Sequence, residues 1–223
     1  MITSLGTYVR RGQRLVRRWF YDPSLRTAAR AVGWTLCGFV LSAASLGNAP
    51  QPLPLALLCA GLTGWPAMAV ALGSLPGYWL LWGAAGAQGI IWTAAGLVVS
   101  FSLGGQKFHK RAPLLMPALA GLSAAATGLM FLLLGAETAD LPIYFLRIAL
   151  AMGAAQVFTT VLQRRDPVMD WLAWSLGVLS LAQTIPFPAL NPGFIAAGIL
   201  GAAAPFPAAA MAGLALDLSR VTR

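Results

Sequence analysis

From Ala31 to Gln106 the chain carries no charged residue, a run of 76 positions. Two more such runs follow, 25 positions from Ala112 to Ala136 and 46 from Trp171 to Leu216. A soluble core cannot use charge-free stretches that long. Lipid can, because a helix needs roughly 20 apolar residues to cross about 30 Å of hydrocarbon. Backbone polar groups in that region must be bonded within the protein, and the sequence lacks the ten-residue alternation of a barrel strand. The expected fold class is therefore all-α, a polytopic transmembrane helical bundle. Composition agrees, with charged residues at 9% of the chain against about 25% in soluble domains.

The net charge of +9 does not point to nucleic acid. The fifteen basic residues sit almost entirely at the ends of apolar runs, where the positive-inside rule puts them. Residues 1–30 hold seven arginines and one acid, Asp22. They read as a basic cytoplasmic leader, either an amphipathic helix on the inner membrane face or a solvated tail. Residues 31–223 read as one multi-span membrane domain. Spans are expected near 27–46, 53–64, 65–81, 84–103, 112–135, 142–163, 168–185 and 194–216, eight helices in all. The division of 53–103 follows from charge. An even number of crossings before the loop puts Lys107, Lys110 and Arg111 inside, and the helix at 53–64 is expected to be short or only partly crossing. The segment "AETAD" (136–140) then faces outward and "QRRD" (163–166) inward. The expected localisation is a plasma membrane with the N-terminus in the cytoplasm, and the bilayer is the first partner.

Ionisable residues inside a span are functional candidates by default. Arg147, in "LPIYFLRIAL", reads either as an anionic-substrate or coupling site or as a side chain that snorkels outward or pairs with Glu137 or Asp140. Gln88, Gln156 and Gln183 are placed to bond across helix interfaces or to line a solute path. Asp217 stands three residues before Arg220, suited to an interfacial pair. His109 has no partner at metal-ligand spacing, and Cys37 and Cys59 read as small buried hydrophobes. The tryptophans, Trp171 and Trp174 among them, are expected mostly as anchors at span ends. No nucleophile–base pair, HExxH or phosphate-cradling glycine loop is present, so no catalytic site, cofactor site or metal site is expected in the chain.

Several stretches together resemble the N-terminal membrane region of the stage II sporulation protein E family. They are "RRGQRLVRR" at 10–18, "GFVLSAASLGNAPQPLPLALLCA" at 38–60, "ALAMGAAQVFTTVLQRRDPVMDWLAWSLGVLSLAQTIPFP" at 149–188 and "FPAAAMAGLALDLSRVT" at 206–222. "LQRRDP" and "GLALDL" are the most informative, because they mix charged and apolar residues in order. The resemblance implies a first span, a turn and a short proline-bounded second helix. It also implies further spans after "LALDLSRVT", so the chain would be interrupted at its C-terminal end, then a linker and a PP2C-type serine/threonine phosphatase domain using Mn or Mg ions. No position here matches a catalytic aspartate of that domain. In such a protein this region would anchor, position and assemble a phosphatase that activates a forespore sigma factor. Self-association and contact with cell-division ring proteins at the sporulation septum are implied with it. The alternative is a small transporter or substrate-binding membrane subunit.

Overall fold

The computed structural model describes residues 23–46, 49–103, 114–134, 141–164, 166–184 and 195–197. Among these residues the chain is mostly helical, with seven α-helices of five residues or more: α1 (Pro23–Ser42), α2 (Leu53–Cys59), α3 (Trp65–Trp82), α4 (Ala87–Leu103), α5 (Leu115–Leu133), α6 (Leu141–Arg164) and α7 (Pro167–Thr184). Among the described residues three segments are long and apolar enough to cross a membrane: Trp65–Leu103, Leu115–Leu133 and Leu141–Gln163. The first is folded back on itself at a 3-10 turn, Gly83–Gly86, that separates α3 from α4. Ser74 bonds Thr93 across this hairpin at 3.2 Å, and Tyr78 meets Trp92 edge-on, so α3 and α4 run antiparallel.

The bundle is apolar outside and polar within. Trp65, Leu72, Trp79, Leu80, Val98, Leu122, Leu133 and Phe145 are exposed, while Ser74, Gln88, Thr93, Thr127 and Arg147 are buried. A molecule stable in water hides its large apolar groups and shows its polar ones, so this arrangement suits a lipid surround.

Helix directions alternate through the bundle. α1 and α3 are parallel, because Gly73 lies against Thr35, Gly77 against Ser42, and Trp82 Nε1 donates to the Ser42 carbonyl at 2.9 Å. α5 and α6 are antiparallel, with Gly121 against Met152 and Gly128 against Tyr144. Since α1 and α3 point the same way, the chain between them must return the length of the bundle, and it does so mostly without helix. Ser45–Leu46 and Ala49–Pro50 form a two-stranded antiparallel pair, a departure from the all-α expectation. α2 follows, only seven residues long, or about 10 Å. Pro54 in its first turn lacks the N–H that a helix start leaves unused. At its other end Gly61 takes a φ of 99°, left-handed backbone that stops the helix. Every residue of α2 is buried, enclosed by α1, α3, α4, α5 and α6.

The expected boundaries hold closely from α3 onward. The first helix is Pro23–Ser42, whereas the sequence predicts 27–46, because the chain leaves the helix after Ser42 and 43–45 and 49–52 are buried in the core. The second ends at Cys59 where the sequence predicts 64. The basic leader before position 23, the loop with His109 and most of the expected span at 194–216 lie outside the described residues.

The α1–α3 seam is tightest at Gly73, where a Cβ would run into the Thr35 carbonyl oxygen. Close backbone approach through small residues is how helices associate where water does not drive them together. Gly73→Leu is therefore expected to lower the melting temperature in detergent by several degrees, from an overpacking cost on the order of 1–3 kcal/mol. Gly153→Leu, where a Cβ meets nothing within 4 Å, is the control and is expected to melt as wild type. Equal melting temperatures for the two variants would contradict this packing.

Candidate functional site

Five neighbouring side chains converge on α6 and α4 near the end of the bundle where α1 stops and α3 turns into α4. Arg147 lies six residues into α6 and is only 4% exposed. Its Nη1 donates to Gln88 Oε1 at 2.8 Å. Its guanidinium carbon stands 5.4 Å from the centroid of the Trp92 ring. Gln88 and Trp92 are four residues apart on α4 and so share one face of it. Trp92, fully buried, donates from Nε1 to Thr127 Oγ1 of α5 at 2.6 Å. The Tyr78 ring packs edge-on against it with centroids 6.4 Å apart, over Gly89, where a Cβ would collide with the ring. Tyr78 Oη then donates to the Gln51 carbonyl at 2.7 Å.

The arginine is thus held by one nitrogen and one face. Its other two nitrogens, Nε and Nη2, are buried with no hydrogen-bond partner. A charge-assisted bond to Gln88 contributes about 1.5–3 kcal/mol and a desolvated cation–π contact about 2 kcal/mol. Together they offset part of the cost of keeping a guanidinium away from water. Among the described residues the cluster contains no acid. What it can do chemically is bind negative charge.

Arg147 does not snorkel outward. The helix turns its side chain inward onto α4, which sets aside the snorkelling alternative, while a pair with Glu137 or Asp140 falls on residues outside the described ones. Gln88 joins it, and these two are the sequence candidates the fold brings together. Gln183 is elsewhere: its Oε1 accepts from the Ser45 N–H at 2.7 Å and its Nε2 donates to the Ser45 carbonyl at 3.1 Å. It is a clamp on the irregular segment. Gln156 stands apart on α6, and its Oε1 and the nearby Thr159 Oγ1 are buried without partners. Asp217, with Arg220, lies outside the described residues, as do Glu137 and Asp140. Trp92, Tyr78, Thr127 and Gln51 were not singled out in sequence. The i, i+4 spacing of Gln88 and Trp92 was the available signal. Trp92 also departs from the role of interface anchor, since it is fully buried between helices.

No family model, curated protein or solved structure matches the chain.

The Gln183 clamp generates a direct test. Gln183→Leu strands both main-chain groups of Ser45 in an apolar setting, at about 1–3 kcal/mol for each group. A loss of several degrees in melting temperature is expected, against a much smaller change for Gln156→Leu. A larger loss for Gln156→Leu would contradict the clamp.

Proposed function

We propose that this chain is the membrane anchor and assembly region of a sporulation serine/threonine phosphatase of the stage II sporulation protein E type, not catalytic by itself. In that role it crosses the plasma membrane eight times, the second time by the broken segment around α2, and keeps its N-terminus in the cytoplasm. The observation that carries the proposal is α2 itself, a proline-bounded helix of seven residues at the position where the family resemblance implies a short second helix. The ends of the helices support the orientation. Pro23, Leu103, Leu115 and Arg164 lie at one end of the alternating bundle, and the basic clusters of the sequence adjoin those four positions. The positive-inside rule assigns that end to the cytoplasm. The apolar exterior supplies the lipid contact that an anchor requires.

A second possibility, a small carrier or substrate-binding membrane subunit, is favoured by the unpaired edge of Arg147. Carrier sites commonly lie between helices inside the bundle.

The two are separated by reading the DNA downstream of codon 223 in all three frames. The anchor predicts further apolar spans, a linker and a PP2C-like pattern of aspartates. A stop codon followed by an unrelated gene would overturn it. The orientation has its own check: a Gln106→Cys variant should be labelled only from the cytoplasmic side, and labelling from outside intact cells would reverse it.

A further inference from the structure

We propose that the unpartnered edge of Arg147 is a binding site for one singly charged two-oxygen group, a carboxylate or a phosphodiester, held inside the bundle against α4. The inference stands whether or not the chain is a phosphatase anchor.

The geometry of the guanidinium carries it. Gln88 Oε1 takes the Nη1 corner at 2.8 Å, and the Trp92 ring takes one face. Nε and Nη2 are left, both buried and both without a hydrogen-bond partner. Those two nitrogens are not an arbitrary pair. Their N–H bonds lie on the same edge of the planar group and run parallel, the two-pronged edge that matches two oxygens of a carboxylate or phosphate. With Arg147 at 4% exposure, bulk water does not stand in for such a ligand. An ion left unpaired in a low-dielectric interior is the expensive case, and an anion on this edge removes the expense.

The edge is also fixed in place before any ligand arrives. Trp92 is bonded to Thr127 and buttressed by Tyr78. The guanidinium plane stacked on it therefore has little freedom to lose on binding. Gln88 is the second residue of α4, so the positive end of that helix acts in the same direction.

Charge selects the ligand class. Arg147 is the one cation of the cluster among the described residues, so a monoanion neutralises the site and a dianion overshoots it. Carboxylates and phosphodiesters are monoanions near neutral pH. A carboxylate would come from a solute, and a phosphodiester from a lipid headgroup.

The test uses the full chain, stripped of lipid in an uncharged maltoside detergent, with melting temperature as the readout. Sodium acetate is compared with sodium chloride at equal ionic strength, and phosphatidylglycerol with uncharged diacylglycerol. Saturating acetate or phosphatidylglycerol is expected to raise the melting temperature by roughly 5 °C. A rise with acetate alone assigns a solute, and a rise with phosphatidylglycerol alone assigns a lipid. Arg147→Lys keeps the charge but has no two-pronged edge, and should lose most of the shift. Arg147→Met should lose all of it. No shift with either probe in the wild type would overturn the proposal, as would an undiminished shift in Arg147→Lys. So would a third result, in which Glu137→Gln or Asp140→Asn destabilises the chain as much as Arg147→Met and makes acetate newly effective. The edge would then be filled by the chain's own carboxylate.

Discussion

An irregular main chain inside an apolar bundle has no water to bond, so the protein itself must answer its N–H and C=O groups. Residues 43–64 set that problem here, because two parallel helices, α1 and α3, have to be joined through the core. The solution is a ring of side chains from the surrounding helices. Gln183 of α7 holds Ser45 by both main-chain groups. Tyr78 of α3 bonds the Gln51 carbonyl, Trp82 bonds that of Ser42, and Ser100 of α4 bonds that of Leu62. Gln51 turns its own amide back onto the Ala49 carbonyl at 3.0 Å. The bonds they supply fix α3, α4 and α7 in rotation against the segment, while α5 and α6 close over α2 by apolar packing.

Arg147 is the exception within that scheme. Gln51 Oε1, Gln156 Oε1 and Thr159 Oγ1 are also buried without a partner, but among these Arg147 alone is a charged group, with two donors unused. Tyr78 links the two systems, with its ring against Trp92 and its hydroxyl on Gln51. Occupation of the arginine edge therefore bears on the same residues that secure the irregular segment. An anchor that also takes up a lipid headgroup and a carrier that takes up a solute would use this one connection differently.

The helices were legible because lipid simplifies the code: long charge-free runs, punctuated by prolines, glycines and basic clusters, mark where helices begin and end. Even the shortness of α2 could be read, from Pro52, Pro54, Gly61, Gly64 and Pro66 around it. The site was legible only in its parts. Arg147 and Gln88 both stood out as polar residues in apolar spans, but their contact joins positions 59 apart in sequence, and it depends on how α4 and α6 are rotated. Periodicity in uniformly apolar helices does not reveal that rotation, since lipid-facing and core-facing residues are alike. The same blindness hid the inward turn of Arg147 and the central place of Trp92. The sequence places Gln183 to bond across helix interfaces or to line a solute path, whereas its partner is a turn 138 positions away. Nothing in the sequence marks that turn as buried.

The most direct test of the central claim is hydrogen–deuterium exchange of the chain in lipid nanodiscs, followed peptide by peptide. If residues 43–64 are a buried crossing with its main chain bonded by its neighbours, their amides will exchange as slowly as those of α4. If they exchange within seconds, as an exposed loop does, the segment is not held in the core and the account of the bundle built around it fails.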